Sequence, residues 1–482
     1  MGSRIEAMIR STMVKGIEAL AAFNRARLTP PAAPHPFLAG IHEPMRAEVE
    51  VTDLAVTGTI PAQLDGRYLR IGPNPIDPDP ASYHWFIGDG MVHGLRITGG
   101  KALWYRNRWI RSNAVAAALG DKPAPGPHHM FDTVNTNIVG IAGRIFALIE
   151  AVGCPVELSE ALEDQVYNPF DGTLAGSFSA HPHLDPLTGE HHAVCYEGTN
   201  AGEIRHVVIG RSGKVVRELP IAVKHGPMIH DCAITARYAI ILDLPVTFSM
   251  KARLSGQRFP YHWNPDHPAR IGLLPRDGTQ ADIIWCAVDP AYAFHVANAY
   301  DLPDGKIVLD LCVYDTMFAN SVQGPDALPR GFERWTIDPA TRSVAVDAID
   351  TDPQDFPRID ERRFGQAYRY AFTMALPERR EDRFVGATAL YRHDLETGTR
   401  QIHDFGVGHH PGEFVFIPGA HDSAEGEGWL IGLVIDLAAE ATDLVILDAM
   451  RFEADPVASI RIPHRVPPGF HGNWIPTIAD RP

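Results

Sequence analysis

The 482-residue sequence has few cysteines, and it lacks both a long apolar run and an excess of positive charge. Its five cysteines are an odd number without CxxC spacing, which argues against a disulfide framework or a cysteine-based zinc site. We expect them to be buried as small hydrophobic residues in a reducing compartment. No stretch of 18 or more apolar residues occurs, so no helix is expected to span a membrane.

Basic residues are outnumbered by acidic ones, 43 Lys and Arg against 59 Asp and Glu, which gives a net charge of −16. Nucleic acid is therefore not an expected partner. Charges at Arg4, Glu6 and Arg10 fall where a signal peptide would have its apolar core, so we expect a cytoplasmic protein.

Residues 4–27 have the apolar periodicity of a helix that ends at the proline-rich segment 29–36. The apolar face contains Ile5, Met8, Ile9, Met13, Ile17, Leu20 and Phe23. Two interpretations stay open. Either this helix packs on the protein body, or it makes a peripheral contact with a membrane in which an apolar substrate dissolves.

From about residue 45 the pattern changes to short runs rich in Val and Ile, such as KIVLDLCVY (306–314) and WLIGLVIDL (429–437). The 42 glycines and 40 prolines are spread along the chain, as expected for many short strands joined by tight turns. We predict an N-terminal helix and linker over 1–44 and one all-β domain over 45–482. A propeller or large barrel with loops over one face fits this pattern, but the sequence has no WD or kelch signature that would fix the number of blades.

Four of the 23 histidines stand out by their surroundings. His181 precedes a proline turn, His230 and His295 lie in apolar runs that indicate buried strands, and His471 lies in a glycine-flanked turn. Their separations match no local metal motif, but each belongs to a different β-segment and could converge on a common axis. Neutral imidazoles bind Fe(II), Zn(II) or Cu(II), so spacing alone leaves the metal and a purely structural role open.

The sequence resembles the carotenoid cleavage oxygenase family, which includes stilbene-cleaving members, over nearly the whole chain from residue 45. The resemblance rests on several motifs in the order of the family. They are GTIPAQLDGRYLRIGPNP (58–75), YHWFIGDGMVHGLRI (83–97), NTNIVG (135–140), SAHPHLDPLTGE (179–190), HDCAITARYAII (230–241), FHVANAYD (294–301), GEFVFIP (412–418) and RVPPGFHGNW (465–474).

The resemblance implies a seven-bladed β-propeller with a dome of loops and helices over a central metal site. It also implies that iron(II) is held by four histidines, which match His181, His230, His295 and His471. A ligating imidazole needs a hydrogen bond to its second ring nitrogen. The family supplies carboxylates for three of them, matching Glu150 for His230, Asp355 for His295 and Glu413 for His471. Asp355 replaces the more usual glutamate, so either its strand lies closer or a water bridges the gap.

By the same resemblance, Thr136 lies next to the sixth iron position and limits access to it. Iron would activate O₂ beside the double bond of a hydrophobic conjugated alkene, and both oxygen atoms would end in two carbonyl products. Aromatic residues in or beside the matched motifs are candidates for the substrate tunnel, namely Phe86, Tyr105, Phe248 and Trp263, together with Ile149.

Position 149 bears on the substrate. Stilbene-cleaving relatives tend to have a lysine there that binds the phenol oxygen, whereas Ile149 cannot form such a hydrogen bond. Ile149 therefore favours an apocarotenoid or carotenoid. The hydroxyl of Tyr105 is compatible with recognition of a phenol, so a 4-hydroxystilbene or phenylpropenoid stays open as the alternative substrate. A catalytically inactive propeller that binds lipid or a protein partner is the third hypothesis.

Overall fold

Seven antiparallel sheets form the blades of a β-propeller within the described residues, which are 16–129, 131–378 and 384–477 of a computed structural model. The predicted all-β propeller is confirmed. In blades 2 to 6 the four strands follow one another along the chain, apart from one insertion in blade 4, because antiparallel neighbours can be joined by short turns.

The strands of the first four blades are given in the order in which they pair. Blade 1 contains β32 (Gly472–Pro476), β3 (Gly66–Pro73), β4 (Gly90–Thr98), β5 (Lys101–Trp109) and β1 (Glu50–Val51). Blade 2 contains β6 (Asn137–Ile141), β7 (Arg144–Leu148), β8 (Val156–Leu158) and β9 (Gln165–Tyr167). Blade 3 contains β10 (His183–Leu184), β11 (His191–Tyr196), β12 (Glu203–Ile209) and β13 (Val215–Ala222). Blade 4 contains β14 (Cys232–Ile234), β15 (Tyr238–Asp243), β18 (Arg270–Pro275) and β19 (Ile284–Ala287).

The last three blades are given in the same way. Blade 5 contains β20 (Val296–Asp301), β21 (Ile307–Tyr314), β22 (Pro329–Asp338) and β23 (Ser343–Asp350). Blade 6 contains β24 (Gln354–Ile359), β25 (Tyr370–Ala375), β26 (Ala389–Asp394) and β27 (Thr399–Asp404). Blade 7 contains β28 (His409–Pro418), β29 (Gly428–Asp436), β30 (Ala441–Asp448), β31 (Ala458–Ile462) and β2 (Val56–Gly58).

Helices are few and short in the described part of the chain. The α-helices are α1 (16–25), α2 (Asn113–Leu119) and α3 (Met250–Leu254). The 3-10 helices are Gly40–His42, Trp85–Ile87, Gly198–Asn200, Gln280–Asp282 and Glu361–Arg363. A hairpin of β16 (Val246–Phe248) and β17 (Tyr261–Trp263), with α3 between its strands, is inserted between β15 and β18.

Both ends of the chain close the ring of blades. The C-terminal strand β32 pairs with β3 of blade 1, and the N-terminal strand β2 pairs with β31 of blade 7. Each blade has a first strand that contacts the first strand of at least one neighbouring blade, and these strands are β32, β6, β10, β14, β20, β24 and β28. The seven first strands therefore surround a common centre.

Burial falls from the second strand of a blade to the outermost one. In blade 5 all eight residues of β21 are buried, whereas every residue of β23 is at least partly exposed. Inner strands are covered on both faces by neighbouring blades, which explains continuous apolar runs such as IVLDLCVY. The five cysteines are buried and free, as predicted.

The predicted helix over 4–27 is described only in part, since residues 1–15 lie outside the described residues. Residues 16–25 are helical, and Asn24 Nδ2 donates to the Leu254 carbonyl at 2.7 Å, which ties α1 to α3. Leu20 and Phe23 are 47% and 53% exposed. None of the described helices has the length and apolarity needed to cross a membrane. The proposed domain boundary at residue 45 stays a prediction.

Candidate metal centre

The four histidines singled out in the sequence lie at the start of the first strands of four blades. His295 and His471 immediately precede β20 and β32, while His181 and His230 lie two residues before β10 and β14. Thr136 immediately precedes β6 of blade 2 in the same way. Because the seven first strands surround one axis, this placement brings side chains from different blades to a single centre.

The four imidazoles form one buried cluster in which the candidate ligand atoms all lie within 4.8 Å of one another. His295 Nε2 is 3.3 Å from His230 Nε2 and 3.1 Å from His471 Nε2. His181 Nε2 is buried and has no hydrogen-bond partner among the described residues. A buried polar atom without a partner is costly, and nitrogen atoms this close together need either a shared proton or a bound cation.

Three carboxylates lie behind three of the imidazoles, on the side away from the centre. His295 Nδ1 donates to Asp355 Oδ1 at 2.9 Å, and His471 Nδ1 donates to Glu413 Oε1 at 3.0 Å. His230 Nδ1 lies 2.9 Å from Glu150 Oε1. A proton on Nδ1 leaves the Nε2 lone pair free to face the centre, which is the tautomer that a metal ligand requires.

The Asp355 carboxylate reaches His295 directly because its strand contains a β-bulge. The register of β24 against β25 shifts between Asp355 and Arg358, and Phe356 has a φ of 54°. The Asp355 side chain also accepts the backbone N–H of Phe356 at 2.8 Å. A left-handed backbone at a bulky residue is strained, and bulges of this kind re-aim side chains beside functional sites. Of the two expectations for this short side chain, the closer strand is the one observed.

Burial and nearby charges set the protonation of the site. Burial, together with the neighbouring imidazoles, holds the pKa of His181 and of His471 well below the ordinary value, so both rings are neutral. Burial alone would also lower the pKa of His295, but the Asp355 carboxylate raises it. Burial raises the pKa of Glu413. The site thus places the neutral imidazoles of His181 and His471 beside carboxylates that favour a positive charge at the centre.

The charge of this centre fits a divalent cation. Glu150, Asp355 and Glu413 are all buried, and among the described residues the one arginine or lysine within 4 Å of their oxygens is Arg358, 3.7 Å from Glu413. Buried carboxylates are stable only when they are paired. The four histidines could therefore bind a metal ion of charge +2, and neutral imidazoles suit iron, zinc and copper alike.

A cavity of about 650 Å³ extends from the histidine cluster to the surface, which is the size of a typical site for a small molecule. Its walls are mostly aromatic and aliphatic. Three of the predicted tunnel residues line it, namely Phe86, Ile149 and Phe248, and so do Thr136 and Glu150. The histidines His230, His295 and His471 lie at its inner end.

Two of the predicted tunnel residues do not line the cavity. Tyr105 is buried in another part of the core, where its hydroxyl contacts His93 Nδ1 at 2.9 Å, so its assignment to the tunnel is wrong. Trp263 pairs with Val246 in the inserted hairpin and is not among the lining residues. Both were assigned from neighbouring motifs, but a motif does not determine which face of a strand points into a cavity.

Sequence reasoning missed several residues that support the site. Tyr196 Oη donates to Glu150 at 2.7 Å, and Tyr314 Oη donates to Asp355 at 2.5 Å. Asp231 accepts the backbone N–H of Val296 at 2.9 Å and contacts His183 Nε2 at 2.7 Å, which joins the strands that follow His230 and His295. These contacts join residues far apart in the sequence, so no local pattern indicates them.

Comparison with known proteins agrees with the geometry. A family model described as retinal pigment epithelial membrane protein matches residues 42–476. The carotenoid cleavage oxygenase of Mycobacterium tuberculosis is 40% identical over 497 aligned positions, covering 92% of this chain and 98% of that protein. Carotenoid 9,10(9',10')-cleavage dioxygenase 1 of Arabidopsis thaliana is 31% identical and covers 91% and 89%.

Solved structures show the same propeller. The lignostilbene dioxygenase of Pseudomonas brassicacearum matches with a TM-score of 0.83 at 27% identity, covering 93% of this chain and 100% of that one. The cobalt-substituted apocarotenoid oxygenase of Synechocystis matches with a TM-score of 0.81 at 28% identity, covering 92% and 99%. The chain therefore belongs to the carotenoid cleavage oxygenase family and is an oxidoreductase of the dioxygenase type.

Proposed function

We propose that this protein is a non-haem iron(II) dioxygenase that cleaves a carbon–carbon double bond of an apocarotenoid or carotenoid with O₂ and releases two carbonyl products. One observation carries the proposal. Three of the four converging imidazoles form the inner end of an apolar cavity, so a metal there would face the middle of a long hydrophobic substrate.

The proposed metal is iron(II), held by His181, His230, His295 and His471. The orphaned His181 Nε2 and the close Nε2 pairs support a bound cation, and the family resemblance favours iron among the metals that imidazoles bind. Bound ferrous ion would supply the activation of O₂. Glu150, Asp355 and Glu413 would hold the imidazoles in the orientation required for binding.

The cavity walls would position the substrate and exclude water. Phe294 packs edge-on against His230 with ring centroids 5.0 Å apart, and Phe86 lies 6.4 Å from the same ring. Phe86 in turn packs edge-on against Phe470 and Phe259. Such ring edges and faces suit a flat conjugated chain, which gains contact area without needing hydrogen bonds. The register of the chain along these rings would set which double bond lies beside the metal.

The apolar side chain of Ile149, next to Glu150 in the cavity wall, supports the apocarotenoid class. A 4-hydroxystilbene or phenylpropenoid is the second candidate, and the similarity to lignostilbene dioxygenase favours it. Tyr105 no longer supports a phenolic substrate, since it lies outside the cavity. Tyr261 does line the cavity, so it replaces Tyr105 as the candidate for contact with a phenol.

The test is a product mass spectrum after anaerobic iron loading and exposure to O₂. A panel of apocarotenals, carotenes and 4-hydroxystilbenes would separate the two substrate classes and give the position of cleavage. Two aldehydes, or an aldehyde and a ketone, from a polyene are expected. If the iron-loaded protein consumed O₂ but left every polyene intact, the apocarotenoid class would be wrong. If it consumed no O₂ with any alkene, the inactive propeller would replace the enzyme.

We also propose a cytoplasmic location with a peripheral membrane contact through residues 4–27, of which 16–27 are described. Ile17 of α1 lines the cavity, and the exposed Leu20 and Phe23 lie on the same helix. A helix with exposed apolar side chains beside the cavity would let a polyene pass from a bilayer into the protein. Sedimentation with phosphatidylcholine vesicles tests this, and a Leu20→Ser/Phe23→Ser variant should bind less.

A further inference from the structure

Three arginines converge on the outer end of the cavity, in a protein whose net charge is −16. They are Arg25 of α1, Arg253 of α3 and Arg258 of the loop that follows α3, and all three line the cavity. Exposed Phe131 and Met250 line this end too, which identifies it as the mouth. A positive mouth is unexpected in so acidic a chain and calls for an anionic ligand.

The charges of these arginines are only partly neutralised within the described residues. Arg253 forms an ion pair with Glu18, which also lines the mouth. Arg25 Nε donates to the Gly256 carbonyl at 3.1 Å and forms no ion pair with a described residue, and Arg258 forms none either. Burial, followed by repulsion from Arg258 and Arg253, lowers the pKa of Arg25, and the nearby carboxylates of Glu18 and Asp79 oppose this shift only in part.

The position of Arg253 indicates a ligand that enters the cavity and not a flat surface that covers it. Arg253 is only 6% exposed, and its guanidinium lies 5.2 Å from the centre of the Phe131 ring. A guanidinium held below the surface against an aromatic ring cannot reach the headgroups of a bilayer. It can bind a carboxylate on the end of a molecule whose remainder extends inward along the apolar walls.

We propose that the mouth is a carboxylate-binding subsite and that the protein takes a conjugated polyene with a terminal carboxylate as a substrate. The carboxylate would bind between Arg253 and Arg258, with Arg25 adding long-range attraction. The polyene would lie along the phenylalanine-rich walls with one double bond near the four histidines. This proposal rests on the proposed function for the cleavage step, but binding at the mouth can be measured without cleavage.

Binding is measured on the metal-free protein by quenching of its tryptophan fluorescence, since Trp85 lines the cavity. The two probes are an apocarotenoic acid and the apocarotenol of the same chain length. The wild type should bind the acid about 10- to 100-fold more tightly than the alcohol, as expected for a hydrogen-bonded charge pair. High salt should weaken the binding of the acid but not that of the alcohol.

Arg258→Gln is the main variant, because Arg258 makes no ion pair with a described residue and its replacement should leave the fold intact. Its affinity for the acid should fall about tenfold, and its affinity for the alcohol should stay within about twofold of the wild-type value. Arg253→Gln should lose more, and an unchanged melting temperature would exclude loosening of α1 as the cause. Arg451→Gln, an exposed arginine in the turn after β30, is the matched control and should change neither affinity.

Equal affinity of the wild type for acid and alcohol, or an acid preference that is as large in Arg258→Gln as in the wild type, would overturn the proposal. So would a selective loss, in that variant, of binding to vesicles containing phosphatidylglycerol, because the arginines would then serve a membrane. If the acid binds as expected but the iron-loaded protein cleaves apocarotenals and not the acid, the acid is not a substrate. If it binds the acid but cleaves neither, the subsite stands and the proposed cleavage activity fails.

Discussion

Asp355 Oδ1 lies 2.9 Å from His295 Nδ1, at a bulge that brings the strand of blade 6 toward an imidazole from blade 5. Tyr314 donates to the other oxygen of the same carboxylate at 2.5 Å. Asp355 is completely buried, and both of its oxygens are engaged in hydrogen bonds. A chain of tyrosine, carboxylate and imidazole thus fixes one of the four nitrogen donors.

Replacing Asp355 by asparagine should weaken iron binding by about 10- to 100-fold, because outer partners of metal ligands typically contribute that much. Competition with a chelator under anaerobic conditions measures the affinity. Asp310→Asn is the matched control, since Asp310 is also buried and accepts a tyrosine hydroxyl, from Tyr368 at 2.8 Å, but contacts no histidine of the cluster. Equal losses in the two variants would show that Asp355 acts only through general stability.

Ile149→Lys should shift the substrate preference from polyenes toward phenolic alkenes. The new ammonium group would lie in the cavity wall beside Glu150, where it could bind a phenolate oxygen. A bound polyene offers the ammonium group no such partner, so its binding should be weakened. The ratio of kcat/KM for a 4-hydroxystilbene to that for an apocarotenal measures the shift. Ile149→Leu keeps the volume and should leave the ratio unchanged. A ratio that does not rise in the lysine variant would mean that the substrate end lies elsewhere.

Acid should destabilise the protein through buried histidines that lie outside the metal centre. Burial is the main reason that the pKa is lowered to about 4 for His191, about 2 for His192 and about 3 for His206. The unfolded values are near 6.5, so this stability is complete above pH 6.5 and is lost as the pH falls toward the folded values. Each ring should contribute a slope of about 1.4 kcal/mol per pH unit below pH 6.

The urea midpoint of the metal-free protein at pH 6.5 and at pH 5 measures this slope. His191→Leu should reduce this slope by the contribution of one proton. The substitution should change the free energy of unfolding little at pH 7, because His191 Nδ1 is buried without a hydrogen-bond partner among the described residues. His421→Leu, at an exposed position, should leave the slope unchanged. A pH-independent midpoint in the wild type would contradict the assignment.

The sequence allowed prediction of the four-histidine cluster because each histidine stands out by its local surroundings. His230 and His295 lie between apolar residues where buried strands begin, and the matched motifs supplied the common centre. The number of blades did not follow from periodicity, since the strands vary from two to ten residues in length. It followed from the family resemblance, and the structure confirms it.

The remaining features depend on contacts that no local pattern encodes. The bulge at Phe356 depends on how β24 pairs with β25. The arginines at the mouth come together because α1, from the N-terminal part of the chain, packs on the insertion in blade 4. The wrong assignment of Tyr105 has the same origin, since the choice between two faces of a strand is made by its neighbours.

Metal analysis with X-ray absorption of the anaerobically loaded protein tests the central claim most directly. The wild type should hold one iron per chain with four nitrogen ligands, and His295→Ala should lose the iron and the O₂-dependent cleavage together. His393→Ala, which removes a buried histidine from blade 6, should keep both. A wild type without bound iron, or a His295→Ala variant with full iron occupancy and turnover, would contradict a ferrous centre built from these four imidazoles.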